Sequence, residues 1–418
     1  MRSLLFLTPV VPMVSGNGAS MRAGMALEAL SKTYRVTLLV VSQNPSVSEQ
    51  SVPPEMRRLC EKVWVRGLAN DDRNSVAGRI RSLPSGAREI AQFLWPNPLE
   101  LGWVPKAWLR DIKAWLGSVQ FDQAHVFRLS MMQIASKVLP VKVPLVLDLD
   151  DIESKALLRL TELQRPQLGR LTSAVRRREA AKLVKAENQV VSRANRVLVC
   201  SAADRRELAA RLGDRNVAEM PNGIRLPDAL PERRREGAFK ILFVGSLDYA
   251  PNQDALEVLA QGLASHVAEA IPQGVTWRIV GRRPPAYLVD MATNAGLDLV
   301  SDAPSLDEHY IWADAVIVPL RSGGGTRIKI LEAAAWQLPV VSSTIGAEGL
   351  ELRHDQDLLI ANTHDEFSEA FARLAGDESL AAQIARAGRK KIEEIYAQTA
   401  ISSRILAIHE AAASERAK

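Results

Sequence analysis

The run Arg321-Ser322-Gly323-Gly324-Gly325-Thr326-Arg327-Ile328-Lys329-Ile330-Leu331-Glu332-Ala333 lies directly after the apolar stretch Ala315 to Leu320. A strand, a triple-glycine turn and a helix form a β-loop-α unit, and in open α/β sheets ligands bind just outside the carboxyl ends of the strands. Glycines let backbone N–H groups approach an anion closely, and a helix N-terminus adds partial positive charge. Arg327 and Lys329 put two cations where helices ordinarily prefer acids, a local conflict expected where an anion binds. Glu332 stands three residues past Lys329 and faces the same side. A ligand with phosphates and nearby hydroxyls suits this set, with Glu332 on ribose hydroxyls and the cations on a diphosphate. A glycine turn followed by a solvated basic face is the plainer alternative.

The same alternation of apolar runs and helical periodicity extends along the whole chain, which predicts mostly parallel sheets covered by helices on both faces. Expected strands in the first half are Leu4 to Leu7, Val36 to Val41, Lys62 to Val65, Gln123 to Phe127, Leu145 to Leu149 and Arg196 to Cys200. In the second half they are Lys240 to Gly245, Val275 to Gly281, Ala315 to Leu320 and Pro339 to Ser343. Helices are expected near Ser20 to Lys32, Asn252 to His266, Thr326 to Trp336 and Ser379 to Ala413. At 418 residues the chain exceeds the ~250 to 300 residues at which single cores stop growing. The fold class is therefore α/β with two Rossmann-like domains facing each other across a cleft. Their bounds are 1–225 and 239–395, with a Pro-, Arg- and Glu-rich linker over 226–238. A terminal helix over 396–418 is expected to cross back to the first domain.

Composition excludes several classes. An apolar fraction of 47% and a charged fraction of 24% are those of ordinary globular chains. Two cysteines, Cys60 and Cys200, offer neither a disulfide framework nor zinc spacing, which fits a reducing cytoplasm. The start reads as a buried first strand and less well as a signal peptide, because Pro9 and Pro12 interrupt it. No apolar run reaches the roughly 20 residues of a membrane span. Basic clusters at Arg176 to Arg178 and Arg233 to Arg235 read as solvated faces or as attraction to anionic lipid or phosphate. No zinc-finger or RNP-type aromatic pattern supports nucleic-acid binding. Trp95, Trp103, Trp108 and Trp115 sit in a proline-broken stretch. They read either as core under a loop or as a patch meeting a hydrophobic acceptor or a membrane.

The second half resembles the family-4 retaining glycosyltransferases of the GT-B fold, and most closely the subgroup associated with exopolysaccharide and lipid-linked saccharide assembly. The matching stretches are Ile241-Leu242-Phe243-Val244-Gly245-Ser246-Leu247-Asp248, Arg278-Ile279-Val280-Gly281-Arg282, Gly324 through Ala333, and Pro339 through Leu350, in the family's order. The resemblance implies donor contacts at Gly245, Ser246, Gly281, Arg282, Gly324, Gly325, Thr326 and Glu332, with Arg327 and Lys329 as diphosphate cations acting in catalysis. Of the family's two glutamates, eight positions apart, Glu332 matches the second, while the first falls on Gly324. The family's Arg and Lys after the first strand of this domain are replaced by Ser246 and by Ala250-Pro251-Asn252.

In the first half, Pro12 through Arg22, with Gly16 and Gly18, is similar to the family's glycine loop, which also contacts the donor. An ordinary turn and helix start is the alternative. His125 matches a cleft histidine taken as catalytic, and a buried structural histidine is an equal alternative. Asp148, Asp150, Asp151 and Glu153 could hold Mg²⁺, yet a helix-start cluster is plainer and no metal or cofactor is expected. The expected partners are a nucleotide-sugar donor and a saccharide or lipid-linked acceptor, with peripheral contact to an anionic membrane. The expected place is the cytoplasm or the inner face of its membrane. A GT-B epimerase or a non-catalytic sugar-nucleotide-binding scaffold are the other readings.

Overall fold

Residues such as Leu4, Leu5, Phe6 and Leu7 form an unbroken apolar run, and parallel strands buried on both faces read this way. In the computed structural model they lie inside β1 (Arg2–Thr8), and all four are fully buried. The structure describes residues 1–418 apart from 69–72, 167, 192, 214–215, 234, 324–326 and 415–418.

β1 belongs to a seven-stranded parallel sheet with β2 (Tyr34–Ser42), β3 (Cys60–Gly67), β4 (Gln123–Phe127), β5 (Leu145–Asp150), β6 (Arg196–Val199) and β7 (Val217–Glu219). The strand order is β3-β2-β1-β4-β5-β6-β7. A second, six-stranded parallel sheet contains β8 (Phe239–Val244), β9 (Val275–Gly281), β10 (Asp298–Ser301), β11 (Ala315–Val318), β12 (Val340–Ser342) and β13 (Leu359–Ile360). Its order is β10-β9-β8-β11-β12-β13. Both orders are doubly wound, and each reverses direction once, between β1 and β4 and between β8 and β11. These are the topological switch points where α/β sheets receive ligands.

The chain divides into two units: 1–222 together with 401–418, and 223–400. The last helix, Gln398–Ser414, thus returns to the first unit, as the sequence led us to expect. Within the second unit, the outgoing and returning segments pair. Ile224 N donates to Tyr396 O at 2.8 Å and Gln398 N donates to Ile224 O at 3.0 Å.

Leu256, Leu259, Leu263 and Val267 are fully buried along the helix that runs from Ala250 through a π turn at Leu259–Leu263 to Glu269. The tryptophan-rich stretch supplies core. Trp103 and Trp108 are buried, and Trp64 meets Trp108 edge-on with centroids 6.4 Å apart. The basic clusters are engaged as well. Arg177 pairs with Glu162, and Arg178 Nε donates to Phe93 O at 2.6 Å. Arg233 donates to the carbonyls of Tyr310, Ile311, Ala313 and Trp336, which are orphan acceptors at the ends of two helices. Arg235 donates to Leu374 O, and Arg234 lies outside the described residues. Among the described residues no helix is long and apolar enough to cross a membrane.

Candidate functional site

At the second switch point the loop after β8 begins with Gly245 and Ser246. Gly245 N donates to Val280 O at 3.0 Å and Leu247 N donates to Arg282 O at 2.9 Å, which brings Gly245, Ser246, Gly281 and Arg282 into adjoining loops. A Cβ at Gly245 would lie 2.8 Å from the Asn252 carboxamide and 2.9 Å from Lys329 Nζ, so a side chain there would displace both. Asn252 is buried and works in both directions. Its Nδ2 donates to Ser246 O at 2.8 Å, and its Oδ1 accepts from Lys329 Nζ at 2.7 Å. The Lys329 ammonium also sits 4.6 Å from the centroid of the Phe243 ring, within cation–π range.

Lys329 and Glu332 lie on the helix Ile328–Ala335, one turn apart, with Arg327 at its N-cap. Tyr310 OH donates to Glu332 Oε2 at 2.8 Å, and Tyr310 is buried. Arg327 is buried too and donates from Nη2 to Ile345 O at 3.3 Å. Gly324, Gly325 and Thr326, expected to contact a donor, lie outside the described residues.

The electrostatics follow from this packing. Burial, and then the Arg327 charge, lowers Lys329 from the ordinary lysine value to about 7. Burial raises Glu332 to about 7, against the Tyr310 hydrogen bond and the Lys329 charge, which both favour the carboxylate. A cation and a carboxylate therefore titrate near neutrality at a switch point, which marks them as candidate site residues. Sequence reasoning named Lys329 and Glu332 but missed the residues that hold them, Asn252 and Tyr310.

The first switch point is built differently. Asn17 caps the helix Gly18–Ser31, its Oδ1 accepting from Ser20 N at 2.9 Å. Gly16 precedes this cap at φ +129°, and Gly18 is the helix's first residue. Gly24 lets the glycine loop lie on the helix, since a Cβ there would be 2.2 Å from Met13 O. Arg22 on that helix is buried and donates from Nε and Nη2 to Asp148, and from Nη1 to Met220 O at 2.7 Å and Asn222 Oδ1 at 2.8 Å. Arg128 Nη2 donates to Asp150 Oδ2 at 2.7 Å, and Asn222 Nδ2 donates to Asp150 Oδ1 at 3.2 Å. Asp148 and Asp150 are thus bound up with arginines, which is a better account of them than a Mg²⁺ site. Asp151, Cys200 and Asp204 each bring one ligand atom within 4.8 Å of the others. Asp204 is already bonded by Lys155 at 2.7 Å and by Ser201 at 2.7 Å.

His125 lies in the middle of β4, not at its end, with 0% exposure. Its ring packs on Phe6 and stacks on His409 of the last helix, with Nδ1 3.2 Å from His409 Nε2. Burial, then the charges of His409 and Arg22, pushes His125 well below the usual imidazole value. Burial lowers His409 to about 3. Of the two readings the sequence offered for His125, the buried structural one fits these surroundings.

Residues 238–377 match the family model described as "Glycosyl transferases group 1", wholly within the second unit. No curated protein matches the sequence. Among solved structures, sucrose-phosphate synthase of Thermosynechococcus elongatus is similar at TM-score 0.66 and 15% identity, covering 98% of each chain. HepE of Anabaena, in complex with UDP and glucose, is similar at TM-score 0.63 and 13% identity, covering 97% of this chain and 99% of that one. WaaG, a glycosyltransferase involved in lipopolysaccharide biosynthesis, is similar at TM-score 0.62 and 14% identity, with the same coverage. At these identities the likenesses show the fold, which is GT-B, and residues 238–377 of the second unit are similar to the group 1 glycosyltransferases.

Proposed function

We propose that this chain moves a sugar, as a hexosyltransferase, from a nucleoside-diphosphate sugar to a saccharide or lipid-linked acceptor. Transfer proceeds with retention of anomeric configuration. The role is exopolysaccharide or cell-surface glycan synthesis at the inner face of the cytoplasmic membrane, with peripheral contact to its anionic surface.

The observation that carries this reading is the pairing of Lys329 with Asn252 and of Glu332 with Tyr310 at the β8/β11 switch point. Neutral partners hold both groups in place while leaving their charge for a ligand. A diphosphate leaving group gains negative charge as the glycosidic bond breaks, and preorganised cations and helix-terminal amides stabilise such charge most effectively. Lys329 supplies that cation, with Arg327 at the same helix start. Glu332 accepts from ribose hydroxyls, and Gly245, Ser246, Gly281 and Arg282 line the donor. The same fold in HepE, which was solved with UDP and with UDP-glucose, supports a nucleotide-sugar donor. The acceptor is assigned to the first unit, and Gly16 and Gly18 are counted with the donor contacts. His125 is left out of the chemistry because of its burial.

Donor consumption measured with and without added acceptor tests the proposal. Acceptor-dependent release of nucleoside diphosphate is expected. A changed sugar without acceptor would mark an epimerase, and binding without turnover would mark a scaffold.

A further inference from the structure

The helix Ser85–Leu94 buries none of its residues. Its inner side is fastened chiefly by the helix Arg170–Val191, and the helix Val76–Arg81 also lies against it. Thr172 Oγ1 donates to Glu89 Oε1 at 2.6 Å, Arg178 Nε donates to Phe93 O at 2.6 Å, and Lys182 Nζ donates to Gln92 O at 2.7 Å. Ala91 and Trp95 pack on the core beneath.

The outer side is apolar and open. Leu83 just before the helix, then Ala87, Ile90 and Leu94, follow one another at intervals of four, three and four, so they share one face. Ile90 is 55% exposed and Leu94 is 68% exposed. Leu171, beside the Thr172 anchor, is exposed as well. The helix's one carboxylate, Glu89, is drawn inward onto Thr172, whereas Arg88 on the helix and the nearby Arg79 and Arg170 are exposed. An apolar stripe rimmed by cations, with its acid turned away, is complementary to a surface that is both apolar and anionic. A second copy of the same face would set like charges against each other.

We infer that the outer face of the helix Ser85–Leu94 docks on an anionic lipid bilayer, with Leu83, Ile90 and Leu94 entering the headgroup boundary and Arg79, Arg88 and Arg170 meeting lipid phosphates. This locates the membrane contact of the proposed function and rests on that part of it. It does not depend on the donor site.

The test is flotation of the full-length protein with vesicles of phosphatidylcholine alone or mixed with phosphatidylglycerol, without donor or acceptor. The protein is expected to float with the mixed vesicles and not with phosphatidylcholine. The exposed pair Ile90→Asp and Leu94→Asp, and separately Arg79→Glu with Arg88→Glu, should each weaken partitioning about tenfold or more. Unfolding curves and nucleotide binding of both variants should match the parent. Absence of flotation with mixed vesicles, equal flotation with both kinds, or unchanged flotation of the variants would overturn the inference. So would a dimer of the parent that Ile90→Asp with Leu94→Asp converts to monomer, since a second copy would then cover the face. Failure here leaves the nucleotide reading standing, and failure of donor turnover leaves the docking face standing.

Discussion

The two switch points share one topology and treat charge in opposite ways. In the first, Arg22 is bound to Asp148, Arg128 to Asp150, and Asn222 joins both pairs, so opposite charges answer one another inside the unit. In the second, the partners of Lys329 and Glu332 among the described residues are an amide oxygen, an aromatic face and a phenolic hydroxyl. A buried ion pair that is complete in itself acts as a joint. A half-buried cation and carboxylate held by neutral partners are each pushed toward neutrality, and in the proposed function a ligand relieves them.

Breaking the first arrangement should have the largest effect. Asp148→Ala takes from buried Arg22 its bidentate partner, leaving it Asp150 at 3.8 Å as counter-charge, and should cost about 3 kcal/mol of stability in the first unit. Urea unfolding followed by circular dichroism reads it, and a loss below about 1 kcal/mol would mean that the pair is no joint.

The second arrangement should respond in function. Lys329→Ala should leave stability nearly unchanged yet weaken nucleoside-diphosphate binding by about 1.5 to 3 kcal/mol, one to two decades in affinity. An unaltered dissociation constant would remove Lys329 from the diphosphate and leave it a structural partner of Asn252. Glu332→Ala should weaken nucleoside diphosphates by about tenfold while sparing inorganic diphosphate, as competition assays would show. Equal loss of both would remove Glu332 from the ribose.

A smaller effect comes from pH. A bound diphosphate favours the charged form of Lys329, so above its free value of about 7 binding must take up a proton, and affinity falls as pH rises. Glu332, also at about 7, must give up its proton to accept from ribose, which opposes this trend: between pH 7 and pH 8 the dissociation constant should rise about threefold in the parent and fall about twofold in Lys329→Ala.

How far the sequence could be read follows from contact range. Strands buried on both faces, such as β1 and β8, are continuous apolar runs and were legible. The edge strands β7, β10 and β13 are short, and β10 carries Asp298 and Ser301 at its ends, so no run of theirs stood out. Lys329 and Glu332 were legible because local spacing put them on one helix face. Their holders were not: Asn252 lies 77 residues from Lys329 and Tyr310 lies 22 from Glu332. Arg22 and Asp148, 126 residues apart, were hidden for the same reason, which left Asp148 reading as part of a helix-start acidic cluster. The tryptophan stretch offered two readings, core under a loop or an outward patch. Trp103 and Trp108 fill the core, and it is Ile90 and Leu94 that face outward.

The central claim is that the β8/β11 switch point holds a nucleoside diphosphate through Lys329. Calorimetric titration with UDP, GDP and ADP at pH about 8, in two buffers of different ionisation enthalpy, tests it most directly. One nucleotide should bind with uptake of close to one proton, and Lys329→Ala should abolish that uptake. Binding by none of the three, or proton uptake that persists in Lys329→Ala, would contradict the account.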